Sequence, residues 1–285
     1  MQCIFCKADS GQSKSVEHII PESLGNIEHT LPPGVVCDKC NNYFSREVEK
    51  PLLESHYFLY ARFENLIPSK RGRIPAIKGW IPQLGSLVEV EMGKGCPRLY
   101  LDKKDTSRFL NRIAKGGTLL IPHPTETDTL LLSRFLGKVA IEVLAHRVLD
   151  VPQALQIDVV DNKALDPLRD YVRYGNISIL WTFHHRPIYP ADAMFYSEEN
   201  ATYYDIPHEF TLLYTDKKEL FLILAIFGIE YAFNLAERDI SGYLEWLNAN
   251  GDRSPLYMDG MNYSFTRGSI AGLNKGSIIT VYTRE

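Results

Sequence analysis

Residues 3–6 read Cys-Ile-Phe-Cys and residues 37–40 read Cys-Asp-Lys-Cys, so the chain carries two Cys-x-x-Cys pairs. Two thiolates at this spacing can bind the same ion, and two such pairs complete the tetrahedral four-sulfur shell that Zn²⁺ adopts in structural sites. A closed shell of protein ligands leaves no position for water, so the ion would stabilise the fold rather than catalyse. We therefore predict a structural zinc site whose ligands are Cys3, Cys6, Cys37 and Cys40.

Two alternative interpretations of the cysteine pairs are weaker. The four cysteines could be unrelated, or a Cys-x-x-Cys could be redox-active, but redox motifs do not normally occur as a matched pair. The fifth cysteine, Cys96, lies between Gly95 and Pro97 and is predicted to be an unligated thiol.

The segment between the two cysteine pairs contains Glu17-His18-Ile19-Ile20-Pro21, and Asn41-Asn42 follows the second pair directly. An acidic residue, His, two aliphatic residues and Pro, followed later by Cys-x-x-Cys-Asn, resembles the HNH endonuclease family. The resemblance extends over about residues 3–50. It implies a ββα-metal fold braced by four cysteines, and metal-dependent hydrolysis of phosphodiester bonds in DNA.

The resemblance implies a role for each polar side chain of this motif. His18 would be the general base that deprotonates the attacking water, since the ordinary pKa of histidine lies near neutral pH. Glu17 would bind a catalytic Mg²⁺ or Mn²⁺ through oxygen and would point away from His18 across the strand. Asn41 would open the helix and bind the same ion through its amide oxygen. Asn42 would replace it if the helix began one residue later.

Two positions depart from the family pattern. Asn41 stands where the family has its last His. The family's middle Asn, which fixes the loop between the two strands, has no evident counterpart. Asn26 is the sole Asn between His18 and Asn41, but it lies close behind the base, so we do not assign that role to it.

The composition is that of an ordinary soluble globular protein, with 45% hydrophobic and 23% charged residues in a chain of 285. The formal net charge of −4 argues against non-specific coating of nucleic acid, because such binders are usually basic overall. The sequence does not open with the basic start and apolar run of an export signal. Its most apolar stretch, residues 220–229, is shorter than the roughly 20 residues of a membrane span. We therefore expect a cytoplasmic protein without a membrane partner.

The rest of the chain predicts an α+β fold. We divide the chain into an HNH nuclease domain at residues 1–50 and a larger α+β domain at residues 51–285. Apolar residues at helical spacing predict helices at residues 106–115, 129–149 and 240–248. Alternating or β-branched and aromatic residues predict strands at residues 87–92, 98–101, 177–183, 210–214, 220–227 and 277–282. Residues 215–218 are predicted to form a hairpin turn.

Arg108, Arg112 and Lys115 fall on one face of the first of these helices and are candidate contacts for DNA phosphates. A charged, solvated helix face is the simpler interpretation of this stripe. Residues 51–285 contain no recognisable family motif. They could recognise DNA sequence, respond to a small-molecule or protein activator, or form a homo-oligomer.

The sequence thus favours a DNA endonuclease with a structural Zn²⁺ and a catalytic Mg²⁺ or Mn²⁺. Analogy with the family suggests a restriction or anti-phage defence role. The alternative is a non-catalytic zinc module that binds nucleic acid or protein. Glu17 and His18 discriminate between them, since a binding module does not need this pair.

Overall fold

The computed structural model describes residues 1–69, 71–92, 97–113, 117–122, 128–175, 179–190, 193–197, 201–257, 263–266 and 280–284. The helices are α1 (Asp38–Phe44), α2 (Lys50–Leu53), α3 (His56–Glu64), α4 (Lys103–Ile113), α5 (Thr129–Arg147), α6 (Pro152–Ala154), α7 (Asp166–Tyr174) and α8 (Ser241–Ala249). The strands are β1 (Glu17–His18), β2 (Thr30–Leu31), β3 (Ile77–Ile81), β4 (Ser86–Met92), β5 (Pro97–Asp102), β6 (Phe183–Pro187), β7 (Ala193–Ser197), β8 (Thr202–Tyr204), β9 (His208–Tyr214), β10 (Leu220–Ile226), β11 (Ile229–Asn234), β12 (Tyr263–Thr266) and β13 (Thr280–Arg284). The fold class is α+β, as the sequence predicts.

The chain divides into two compact units. The first contains Met1–Leu53 and Asp128–Arg267, and the second contains Glu54–Thr127 and Gly268–Glu285. The N-terminal residues therefore pack with a distant part of the chain. Packing does not establish which segments fold independently, so the division at residue 50 remains a prediction. Among the helices of the described segments, none is long and apolar enough to cross a membrane.

The first unit is built around an antiparallel sheet of order β6-β11-β10-β9. The predicted turn at residues 215–218 joins β9 to β10, with Lys218 in the left-handed region at φ 64°. Strands β7, β8 and β12 form a separate antiparallel sheet. The predicted strand at residues 177–183 is displaced, because β6 begins only at Phe183; residues 176–178 lie outside the described residues.

Helix α5 is the central helix of the first unit. Asp128 caps its N-terminus by accepting a hydrogen bond from the Leu131 amide at 2.9 Å. The helix is apolar on most sides and largely buried between the sheet and α7. Gly137 permits the close approach of α7, since a Cβ there would lie 2.7 Å from Cγ2 of Val172. Two charged residues, Lys138 and Glu142, are nevertheless completely buried in this helix.

The second unit contains a four-stranded sheet of order β13-β5-β4-β3, in which β13 pairs with β5 in parallel and the other pairs are antiparallel. Alternate residues of β3, β4 and β5 point into a core that Phe63 of α3 and Phe109 of α4 complete. Helix α4 begins at Lys103, directly after β5, rather than near residue 106 as predicted.

Candidate active site and metal centre

The four sequence-predicted zinc ligands form one cluster. The sulfur atoms of Cys3, Cys6, Cys37 and Cys40 all lie within 4.8 Å of one another, and those of Cys6 and Cys37 are 3.6 Å apart. Four sulfurs at about 2.3 Å from a tetrahedral zinc are about 3.8 Å from each other. The cluster therefore has the ligand set and the size that a structural zinc ion requires.

Local backbone geometry brings these thiols together. Cys37 is the N-cap of α1, and its sulfur accepts from the Cys40 amide at 3.4 Å. The sulfur of Cys3 accepts from the Cys37 amide at 3.3 Å. A hydrogen bond from the Cys40 thiol is the main cause that lowers the pKa of Cys3 to about 4. The same hydrogen bond raises the pKa of Cys40, so these two sulfurs share a proton that a zinc ion would displace, because cysteine binds zinc as a thiolate.

Glu17 and His18 form β1, which pairs with β2 through Glu17 opposite Leu31 and His18 opposite Thr30. The Ile19 amide extends the pairing by donating to the His29 carbonyl at 3.1 Å. Successive residues of a strand face opposite sides, and here Glu17 is only 4% exposed whereas His18 is half-buried. The strand thus separates the two side chains, as the sequence predicts for a ligand and a base.

The Glu17 carboxylate faces the buried Lys138 of α5. Glu17 Oε1 lies 2.8 Å from Lys138 Nζ. Glu49, from the π-helical turn that follows α1, and Glu142 lie at 2.8 and 2.9 Å from the same nitrogen. Burial raises the pKa of Glu17, and the nearby ammonium opposes that shift. The other oxygen, Glu17 Oε2, is buried without a hydrogen-bond partner among the described residues.

One nitrogen of the His18 ring is buried and unsatisfied among the described residues. Its Nδ1 has no hydrogen-bond partner in the described parts of the chain. The backbone carbonyl of His18 lies 3.4 Å from Lys138 Nζ, so the same ammonium contacts both residues of β1.

Helix α1 brings Asn41 to this strand. The Asn41 side chain donates to the carbonyl of Val16, the residue before Glu17, at 3.3 Å. Asp38, in the first turn of the same helix, accepts from the amides of Lys14 and Ser15 and so fixes the approach to β1. Asn42 is exposed. The structure therefore brings Glu17, His18 and Asn41 together and leaves Asn42 facing solvent.

Asn26 corrects a sequence-based interpretation. Its Nδ2 donates to the carbonyls of Ile20 and His29 at 2.7 and 2.9 Å. Its Oδ1 accepts from the amides of Glu28 and His29 at 3.1 and 2.9 Å. The side chain is completely buried and holds the loop between β1 and β2 from both sides. Asn26 therefore occupies the loop-fixing position that the sequence alone does not assign to it.

Residues 3–57 match the family model described as HNH endonuclease. This N-terminal segment is similar to the HNH endonuclease family. This match confirms the family that the motif indicated and covers about a fifth of the chain. No curated protein and no solved structure matches the chain.

The HNH segment depends on side chains that sequence reasoning missed. Lys138 and Glu142 come from α5, about 80 residues beyond the end of the match. A signal for them exists in the sequence, because a Lys and a Glu four residues apart interrupt an otherwise apolar helical pattern. Nothing in that pattern tells which distant strand they contact.

The predicted phosphate contacts of the described residues lie in the second unit. Arg108 and Arg112 lie on α4 in the second unit. Arg108 is 3.5 Å from Asp105, and Arg112 donates to the carbonyl of Gln83. Lys115 lies outside the described residues. Contact of these side chains with DNA phosphates remains a prediction.

Proposed function

We propose that this protein is a divalent-metal-dependent endonuclease that hydrolyses phosphodiester bonds in DNA. The observation that carries the proposal is the arrangement of Glu17, His18 and Asn41 within a segment of the HNH family. A buried carboxylate and a half-exposed imidazole lie on opposite faces of one strand, and an amide from α1 reaches that strand. A zinc module that only binds a partner does not need this arrangement.

In the proposed reaction His18 is the general base. Its ring is half-exposed, and its Nδ1 has no competing partner within the described residues. A partly exposed imidazole can take a proton from the water that attacks phosphorus. The contact from Lys138 to the His18 carbonyl and the bonds of Asn26 hold the backbone on which the ring sits.

Glu17 and Asn41 fit the needs of a Mg²⁺ or Mn²⁺ ion. These ions prefer carboxylate and carbonyl oxygens, and Glu17 Oε2 is a buried oxygen with no partner in the described structure. Such an ion, when bound, stabilises negative charge that develops on phosphate oxygens. The zinc cluster is a separate site whose four thiols serve the fold.

Other parts of the proposal rest on the family and the sequence. DNA as the substrate follows from the family, and a restriction or anti-phage role is an analogy only. Residues 51–285 are proposed to provide recognition, to bind an activator, or to form a homo-oligomer. A cytoplasmic location also remains a prediction.

A plasmid cleavage assay in Mg²⁺ or Mn²⁺ tests the proposal. Wild-type protein should cut, EDTA should stop cleavage, and His18→Ala should slow it by about 10²–10⁴-fold, the usual contribution of a general base. His185→Ala is the matched control, because His185 is exposed on β6 and contacts the rings of Phe183 and Tyr231. Cleavage by His18→Ala at the wild-type rate would remove His18 from the mechanism.

One observation favours the alternative, a non-catalytic zinc module. The ammonium of Lys138 already neutralises Glu17 at 2.8 Å, which is how a carboxylate without a metal would be satisfied. Absence of cleavage, together with absence of Mn²⁺ binding outside the zinc cluster, would favour this alternative.

A further inference from the structure

We infer that Lys138 is a positioning residue for Glu17, so that α5 completes the nuclease site from outside the HNH segment. The inference rests on the proposed function, in which Glu17 is a metal ligand. It assigns to Lys138 the task of fixing the orientation of the Glu17 carboxylate.

The contacts of Lys138 are those of a fixed support. An ammonium group has three N–H donors, and three carboxylate oxygens lie within 2.9 Å of this nitrogen. Lys138 and Glu142 are completely buried, and Glu142 lies one helical turn from Lys138. A lysine held from three directions cannot rotate freely, so it restrains the carboxylates that it contacts.

The contact leaves one oxygen of Glu17 available. Oε1 is bonded to Lys138, whereas Oε2 is buried and unpartnered in the part of the chain that the structure describes. Fixing one oxygen of a carboxylate sets the direction of the other. Side chains that hold a metal ligand in this way commonly decide how well the metal binds.

Packing alone does not account for a charge at this position. The neighbouring residues Phe135, Leu136 and Val139 of α5 are fully buried apolar side chains. Replacing a buried ion pair with apolar residues of similar volume is often neutral or stabilising. The charged cluster lies where α5 meets both β1 and the π-helical turn after α1, and π-helical turns are frequent at functional sites.

Three full-length variants test the inference. Lys138→Met alone would leave the buried carboxylates of Glu17 and Glu142 and the partly exposed one of Glu49 without a cation and could fail to fold, so we combine it with Glu142→Gln. Glu142→Gln alone is the first control, because it keeps the Lys138–Glu17 pair. Arg134→Met is the second, because Arg134 is a cation one turn away on α5 that contacts Tyr43 and Val172 rather than Glu17.

The measurement is Mn²⁺ affinity by electron paramagnetic resonance, on protein with its zinc loaded and its thermal unfolding recorded. The double variant should bind Mn²⁺ about 10–100-fold more weakly than wild type, the usual loss when a support of a metal ligand is removed. Both single variants should stay within about threefold of wild type. Loss of a nearby positive charge would by itself strengthen cation binding. Weaker binding therefore identifies orientation as the role.

Several outcomes overturn the inference. Unchanged or tighter Mn²⁺ binding by the double variant would show that Lys138 only stabilises the fold. Equal weakening in Arg134→Met would show that general loosening of α5 is the cause. No Mn²⁺ binding by the wild type would overturn the inference together with the metal assignment. If the wild type binds Mn²⁺ but cuts no DNA, the nuclease proposal fails. The Mn²⁺ affinities of the three variants still support or overturn the role of Lys138.

Discussion

Glu17 and His18 are adjacent in the sequence, yet a strand places them in different surroundings. Glu17 points inward to Lys138, where burial favours a neutral carboxyl and the ammonium favours a carboxylate. His18 points outward and keeps a ring nitrogen without a partner in the described structure. A two-residue strand can therefore place one side chain in the dry interior and the next in a partly exposed position, provided that the loop following it is held rigidly.

Asn26 holds that loop, so Asn26→Asp should destabilise the first unit. A carboxylate has nearly the same shape as the amide but cannot donate to the carbonyls of Ile20 and His29. We expect unfolding in urea to become easier by about 2–4 kcal/mol, since two buried acceptors and a buried charge lose their partners. Asn42→Asp is the control, because Asn42 is exposed. Equal stability of the two variants would contradict the loop-fixing role.

Among single residues, the sequence identifies those whose function follows from residue type and spacing alone. The cluster of four cysteines could be predicted, whereas the roles of Glu17, His18 and Asn41 remain predictions. Asn26 could not, because three of its four hydrogen bonds join it to backbone groups of the turn that it creates. Lys138 could not, because its partners lie in segments about 90 to 120 residues away.

Helix α1 orders the site at the scale of one element. It begins at Asp38 after the Cys37 cap, which directs Asn41 toward β1 and Asn42 toward solvent. The zinc cluster therefore sets the start of the helix, and the start of the helix sets the candidate ligand.

Because the helix places Asn41 toward β1 and Asn42 toward solvent, alanine variants of the two residues test which amide binds the metal. Asn41→Ala should lower cleavage roughly 10–100-fold and raise the Mn²⁺ concentration needed for half-maximal rate, in line with the loss of one metal-site group. Asn42→Ala should cut like wild type. The measurement is the cleavage rate of both variants over a Mn²⁺ titration. Loss of activity in Asn42→Ala alone would mean that Asn42, and not Asn41, binds the metal.

Loss of one thiol of the cysteine cluster should disrupt the N-terminal segment that contains α1. Cys37→Ser removes a zinc ligand but leaves a hydroxyl that can still cap α1, so the protein should purify without its zinc and the N-terminal segment should lose structure. Elemental analysis and circular dichroism measure the two effects. Cys96→Ser is the control, because the sequence predicts that Cys96 is not a ligand. A wild-type protein without zinc would refute the structural site.

Elements with clear periodicity and caps were predictable. Helix α5 has a capping Asp128 and a long apolar pattern, and it begins at the predicted residue and ends two residues before the predicted end. Strand β11 was missed because Glu230 interrupts its apolar run and suggested a boundary. Glu230 is in fact buried, where it pairs with Arg186 at 2.7 Å and accepts from Tyr243 at 2.5 Å. Such compensation depends on tertiary partners, which local patterns do not reveal.

At the scale of the whole molecule, the HNH segment is part of a larger folded unit. Arg169 of α7 is buried and donates to the carbonyl of Ile4, inside the first cysteine pair, at 2.7 Å. Arg134 of α5 donates to the hydroxyl of Tyr43 at 2.8 Å. These contacts span between 91 and 165 residues of sequence. Motif spacing identified the family that the segment resembles, but only the structure shows which distant helices contact the segment.

The stability of this unit should fall in mild acid because of His208 on β9. Burial, reinforced by the neighbouring His29, lowers the pKa of His208 to about 4. The unfolded chain titrates this group near pH 6.5. Between pH 6.5 and 4 the unfolded state therefore binds a proton that the native state does not, so the stability that is present above pH 6.5 is lost progressively as the pH falls.

The comparison of wild type with His208→Phe isolates this effect. Phenylalanine can keep the edge-to-face contact with His29, whose ring centroid lies 5.8 Å away, and it cannot titrate. Between pH 7 and pH 5 the wild type should lose about 1–2 kcal/mol more unfolding free energy than the variant, measured in urea. His185→Phe should keep the wild-type pH dependence, because His185 is exposed. If the unfolding free energies of wild type and His208→Phe fall in parallel with pH, groups other than His208 cause the acid sensitivity. In that case protonation of His208, at the contact between β9 and the loop of the HNH segment, does not control the stability of the unit.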